Sequence, residues 1–167
     1  GNVHAHIRHL KKLITHSSKA GINKLRLHLL LDGRDVDERS ALRYLEDIEE
    51  LLSTINQSGD FDYCIASGGG RMITTMDRYN ADWTIVKRGW DAHVLGKGPQ
   101  YASAKDAVQA AYDSDPDLND QYIPAFVVAK DGQAVGTIED GDAVICFNFR
   151  GDRAIEISRA FDEKDFT

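Results

Sequence analysis

Lys24-Leu25-Arg26-Leu27-His28-Leu29-Leu30-Leu31-Asp32-Gly33-Arg34-Asp35 is the stretch on which the reading of the fold turns. Leucines at 25, 27, 29 and 31 recur with period two, which predicts a strand with one row of side chains facing a core, and Leu30 adds apolar character to the other face. The run ends in Asp32-Gly33-Arg34-Asp35, a turn-forming sequence, so a cation and a carboxylate stand at a strand terminus.

Working outward, Ile7, Leu10, Leu13 and Ile14 fall at helical spacing between His6 and about Lys19, and Gly21 supplies a stop. Downstream, Leu42, Leu45, Ile48, Leu51, Leu52 and Ile55 follow a 3.6-residue period from about Glu38 to Ile55, with acids on the intervening face. Phe61 to Ala66 reads as a second buried strand running straight into Ser67-Gly68-Gly69-Gly70-Arg71. Trp83, Val86, Trp90 and Val94 mark another helical stripe, and Ser103 with Asp106 resembles a capping box that opens a helix through Ala111. The acidic, proline-containing stretch from Asp113 to Asp120 reads as loop. Ala125 to Ala129 and Ala143 to Phe149 read as strands separated by Asp-Gly turns, and a last helix is expected from about Asp152 to Phe161.

Strands alternating with amphipathic helices predict an α/β layered sandwich, with a mostly parallel central sheet flanked by helices and antiparallel strands possible at its edges. A chain of 167 residues, 42% hydrophobic, suits one domain spanning 1–167. No run approaches the roughly 20 apolar residues that cross a bilayer, and no N-terminal apolar block reads as a signal peptide, so a cytoplasmic location is expected. A net charge of −7 gives a broad surface no electrostatic reason to bind nucleic acid or an anionic membrane. Any anion must therefore be held locally, by convergent arginines. Cys64 and Cys146 sit in strand-like runs and are expected to be small buried residues.

Three segments supply such arginines where strands end, the edge at which ligands collect in sheets of this kind. Phe147-Asn148-Phe149-Arg150-Gly151-Asp152-Arg153 leaves a strand and enters a helix, so Arg150 and Arg153 flank a helix N-terminus whose amides favour an anion. Arg153 can instead pair with Asp152 or Glu156. The triple glycine lets backbone approach a ligand, with Arg71 and Arg78 on its far side, although it is neither a Walker loop nor a dinucleotide fingerprint. Asp35, beside Arg34, is placed either to move protons or to cap the following helix. His4, His6 and His9 cluster at the start without the cysteine or carboxylate needed to complete a metal site. No flanked serine nucleophile and no paired metal-binding histidine motif occurs in the chain.

Four ordered motifs, Gly1-Asn2-Val3-His4-Ala5-His6, Leu31 to Asp35, Ser67 to Arg71 with Met76-Asp77-Arg78, and Phe147 to Arg153, resemble the cofactor-independent phosphoglycerate mutases. Arg88-Gly89-Trp90-Asp91-Ala92 and Asn119-Asp120-Gln121-Tyr122 are similar to the plant and trypanosomatid-like branch. The resemblance implies an enzyme of two α/β domains that interconverts 3-phosphoglycerate and 2-phosphoglycerate through a phosphoserine. The serine and two divalent metal ions, often manganese, belong to the other domain, and this chain corresponds to the inserted phosphotransferase domain, with no cofactor of its own. Carried over by motif, His4, Arg34, Arg71, Arg78, Arg150 and Arg153 contact the phosphoglycerate, with Asp35 the proton shuttle. The family more usually carries Gly-Gly-Val-His-Ser-His at the first motif; Asn2 and Ala5 depart from it, and Ala5 removes a hydroxyl contact. Both chain ends are expected to fall at interdomain hinges. The competing readings are a stand-alone binding module for a small phosphorylated acid and a partner-binding domain with scattered arginines.

Overall fold

A computed structural model of the chain describes residues 3–164; Gly1 and Asn2 of the opening motif, and Thr167 at the far end, lie outside the described residues. The first helix, α1 (Ile7–Lys19), starts where the His6 ring nitrogen accepts the Arg8 amide at 3.0 Å. It stops at Ala20 and Gly21, whose φ of +78° is the left-handed step that glycine takes without a Cβ penalty. The alternating leucines form β1 (Lys24–Leu31), followed by α2 (Ala41–Gln57) and β2 (Asp62–Gly70). Then come α3 (Trp83–His93), the short β3 (Gln100–Tyr101), α4 (Ala104–Ser114), β4 (Phe126–Lys130), β5 (Gln133–Ala134) and α5 (Ile155–Asp162).

Strand order is β1-β2-β4-β3, with β5 on β4. Two β-α-β units are each parallel, β1 with β2 and β3 with β4, as crossover helices α2 and α4 require. They join head to tail along β2 and β4, where Ser67 pairs with Val127 and Gly68 with Phe126 in antiparallel register. The layered α/β expectation therefore holds, in a mixed sheet whose antiparallel seam is central as well as at the β4–β5 edge.

Ile14 of α1, Leu45, Ile48 and Leu52 of α2, and Val108 of α4 pack with Tyr63, Ile65 and Phe126 into the main core. Helix α3 covers β2 from the opposite side, and its Val86 packs with Ile157 and Ala160 of α5 in a satellite cluster. No side chain of Ser40 caps α2; Asp120, 1% exposed, reaches across instead and accepts the Ser40 and Ala41 amides at 2.8 Å each. The Tyr112 hydroxyl donates to its other oxygen. A charged cap at a helix N-terminus is favoured twice, by the free amides and by the helix dipole.

Three expectations are corrected. Residues 143–149 form no strand: Val144 and Ile145 are exposed, and the Phe149 amide bonds only the His4 carbonyl, because β propensity makes a strand only where a ladder partner lies alongside. Cys146 is consequently exposed rather than buried, and Cys64 is half-buried; both thiols are free. The triple glycine lies inside β2 and packs against protein. A Cβ on Gly68 would stand 2.5 Å from Phe126 Cζ, on Gly69 2.5 Å from Thr74 Oγ1, and on Gly70 2.3 Å from the Gln121 carbonyl carbon. Gly70→Ala is expected to cost about 1 to 3 kcal/mol, since backbone cannot yield as a side-chain tip can, and a lowered urea midpoint at unchanged slope checks it.

Candidate anion site at the strand ends

At the carboxyl end of β1, Asp32 Oδ1 accepts the Arg34 and Asp35 amides at 3.3 and 3.2 Å, which folds the turn back on itself. Gly33 has φ +61° and sits so close to Asn119 and Asp120 that a Cβ would stand 2.3 Å from Asn119 Oδ1. Beside it β2 ends, and the Arg71 amide donates to the Leu31 carbonyl at 3.0 Å. Adjacent parallel strands thus deliver the Asp35 turn and Arg71 to one place. The Arg71 side chain, in a residue 8% exposed, puts Nη1 3.2 Å from Asp35 Oδ2 and 3.4 Å from Asp32 Oδ1. Its Nε is buried without a partner, a donor left over for something else.

From Arg71 the chain runs through a tight loop before α3. Thr75 holds φ +72°, unusual for a β-branched residue, and Gly89 of α3 approaches it so closely that a Cβ there would collide with its hydroxyl. The loop carries Arg78 to Asp152, with Nη1 3.6 Å from Oδ2. Arg150 Nε meets the other Asp152 oxygen at 2.9 Å, and Arg153 Nη1 donates to the Met76 carbonyl at 2.7 Å. The opening segment closes the ring, with the His4 carbonyl accepting the Phe149 amide at 2.9 Å.

Electrostatics agree with the geometry. Burial and then Arg71 push the His4 imidazole below its usual pKa, with Arg150 adding to this and a bond to Asn148 opposing it, so His4 is held toward its neutral form. Burial, then the charges of Arg78 and Arg71, lower Arg153. Four guanidiniums, Arg71, Arg78, Arg150 and Arg153, converge with the carboxylates Asp32, Asp35 and Asp152, and Asp77 also acts on Arg153. Guanidiniums that repel one another inside a partly dry rim, as Arg78 and Arg71 repel Arg153, are an arrangement that an anion relieves.

The structure thus brings His4, Asp35, Arg71, Arg78, Arg150 and Arg153 together. Arg34 shares the turn through its backbone, while its exposed side chain stays outside the ion pairs among the described residues. His6 is occupied by capping α1 and His9 stacks near it, 5.5 Å between ring centroids. Arg150 caps and Arg153 ends a three-residue 3-10 turn, Gly151–Arg153, so the two do not flank the start of α5. Sequence reasoning missed Asp32 as an organiser, and it weighed Asp152 only as an alternative partner for Arg153, whereas its ion pairs are with Arg78 and Arg150. The signal for Asp152 was present, since an acid between two arginines in Arg150-Gly151-Asp152-Arg153 is the one counterion in that motif. No group of three or more histidine, cysteine or carboxylate side chains is arranged to hold a metal among the described residues.

The family model described as the BPG-independent PGAM N-terminus matches residues 1–167. A probable 2,3-bisphosphoglycerate-independent phosphoglycerate mutase of Leptospira interrogans is 55% identical over 99% of this chain, and the corresponding mutase of Trypanosoma brucei brucei is 49% identical over 99%. In each case the chain spans 30% of the relative's length. A crystal structure of Leishmania mexicana phosphoglycerate mutase at low cobalt concentration superposes with a TM-score of 0.96 at 49% identity, covering 99% of this chain and 30% of that one.

Proposed function

The chain belongs to the BPG-independent phosphoglycerate mutase N-terminal family, and from that premise we propose that it is the part that grips the phosphoglycerate during isomerisation. The observation that carries the reading is the meeting of four arginines with His4 and Asp35 at one rim of the sheet. The parent polypeptide interconverts 3-phosphoglycerate and 2-phosphoglycerate, and its serine nucleophile and metal ions lie in the remainder of the chain. A divalent cation does not fit the guanidinium-rich set described here; metal ions held elsewhere in the polypeptide, manganese among the candidates, would supply Lewis acidity.

Within the chain the work divides by chemistry. Arginine forks bind carboxylate and phosphate oxygens through paired N–H donors, so a glycerate stays anchored while its phosphoryl group is away. Arg78, Arg150 and Arg153 lie on two loops that meet, which suits them to the phosphate, where negative charge is spread over several oxygens during transfer. Asp35 is the proton carrier: the hydroxyl that becomes phosphorylated must lose a proton and the one vacated must gain one, and its carboxylate is held in place by Arg71. His4, kept toward neutrality, can donate and accept hydrogen bonds without adding charge.

The isolated chain is expected to bind 3-phosphoglycerate, with enthalpy detectable by titration calorimetry and affinity falling as salt rises, and to show no mutase turnover. Turnover by chain freed of host enzyme, or absence of any binding, overturns the reading. Arg150→Ala is expected to weaken binding by roughly tenfold to thirtyfold, the range for losing one charged hydrogen-bond partner that is about half exposed.

A further inference from the structure

The Arg78 turn is held from an unexpected side. Glu156, the second residue of α5, is 4% exposed, and its Oε1 accepts the Asn80 amide at 2.9 Å. Its Oε2 is buried without a donor. The neighbour it faces is Asp77, 6% exposed, whose Oδ2 accepts the Asp82 amide at 2.7 Å. Two buried carboxyls therefore grip the same turn from its two ends. Between them Tyr79 and Asn80 take φ of +62° and +54°, consecutive left-handed steps that side-chain-bearing residues adopt only when their surroundings enforce it.

Two carboxylates are both acceptors and cannot satisfy each other; one proton between them turns repulsion into a hydrogen bond. Burial drives the Glu156 carboxyl above its ordinary pKa, with the charge and hydrogen bond of Asp77 adding to the rise. The Asn80 amide and Arg159, on the same helix, work against it without prevailing. Arg153, one turn earlier, feels Asp77 and donates to the Met76 carbonyl, so the segment bearing Arg150 and Arg153 grips the Arg78 loop at more than one point.

We propose that Glu156 is a positioning residue, which by sharing a proton with Asp77 fastens α5 to the 78–82 turn and so sets the Arg78 guanidinium opposite Arg150 and Arg153. Its consequence for ligand binding rests on the reading of these arginines as a phosphoglycerate site; the shared proton does not. Loss of that proton at raised pH leaves two negative charges side by side, loosens the turn and frees Arg78 from its place.

The test reads the Asn80 and Asp82 amide resonances of the complete chain as pH is raised, alongside calorimetry with 3-phosphoglycerate. In the unsubstituted protein both amides are expected to titrate together, with a midpoint above the ordinary carboxylate range. Glu156→Gln, which still accepts from Asn80 and donates to Asp77 without titrating, is expected to abolish that transition. Glu156→Ala, which does neither, is expected to weaken 3-phosphoglycerate binding by about tenfold at a pH below the midpoint of that transition, and Glu156→Gln by no more than a few-fold. Amides that do not titrate, an unchanged transition in Glu156→Gln, or equal affinity of Glu156→Ala and the parent overturn the proposal. Should the unsubstituted chain bind no phosphoglycerate, it is the functional reading that fails, and the amide titration still decides the shared proton.

Discussion

Replacing Arg71 by alanine is expected to lower the affinity of the chain for 3-phosphoglycerate by about 100-fold or more. Arg71 is the most buried of the convergent arginines, and it alone touches both carboxylates of the β1 turn. Truncating one member of a desolvated, hydrogen-bonded charge pair costs about 2 to 5 kcal/mol, much of it from the charge left behind, and about 1.4 kcal/mol is a factor of ten. Two losses add here. The ligand forfeits a cation whose Nε points to no protein acceptor, and Asp32 and Asp35 are left facing each other across the vacated space, which repels any incoming anion. Lysine restores the charge but not the fork, and it cannot serve two carboxylates and a ligand from one nitrogen; Arg71→Lys is expected to recover no more than about tenfold of the loss. Calorimetry of the three proteins checks both steps. Equal binding by Arg71→Ala and the parent would remove Arg71 from the site and leave the rim without its centre.

How much of this was legible in advance follows from whether a residue's neighbours are local. Period-two leucines at 25 to 31 needed only their own strand to be read, and the capping box at Ser103 and Asp106 is four residues long; the Ser103 hydroxyl accepts the Asp106 amide at 3.0 Å. Arg34 and Arg71 could be placed at strand ends because a parallel β-α-β unit delivers both its strand termini to one edge, whereas Arg150 and Arg153 reach the rim from a segment that forms no strand. The antiparallel seam was not legible, since nothing within β4 records which neighbour it meets. Gly68 to Gly70 misled for a related reason. Glycine signals close approach, and the approaching groups were Thr74 of the following loop and Phe126, Ala125 and Gln121, more than fifty residues away, rather than a ligand. Residues 143–149 carry strand propensity without a strand, because propensity describes fit to a pleated surface that the described chain does not offer them. Asp120 and Glu156, each tying distant backbone amides, are invisible to any local pattern.

The same dependence on distant neighbours produces the largest expected response to pH. A bulge between Leu27 and His28 shifts the β1–β2 register, so Leu27 pairs with Ile65 but His28 with Ser67, leaving Ala66 as the extra residue. The shift turns Ser67 toward His28 and the face covered by α3. There Ser67 Oγ lies 2.7 Å from His28 Nδ1 and 2.7 Å from His93 Nδ1, with the two rings edge to face. A hydroxyl has one proton, so it donates to one imidazole and accepts from the other, and both rings are neutral. Burial, aided by Arg26, lowers His28 to about 4, and burial, aided by His28, lowers His93 to about 3. The C-terminal end of α3 favours a charged His93 by only about 1 kcal/mol, too little to offset enclosure. In the unfolded chain each histidine titrates near about 6.5. Stability is therefore complete above that pH and is lost as pH falls, because the unfolded chain takes up protons that the folded one refuses. Between about pH 7 and about pH 5 the loss is about 2 kcal/mol per histidine, or about 4 kcal/mol for the pair, provided each folded value lies below 5. In the same window the lowered His4 adds to the decline and the raised Glu156 opposes it, so the buried pair is read from the difference between the parent and a variant of one ring. His93→Asn, which keeps a polar atom near the Nδ1 position and cannot be protonated, is expected to lower stability at neutral pH through the space it opens while halving the dependence on pH. Urea midpoints at the two pH values check both proteins, and an equal decline in the two would show that the buried rings are not the groups being protonated.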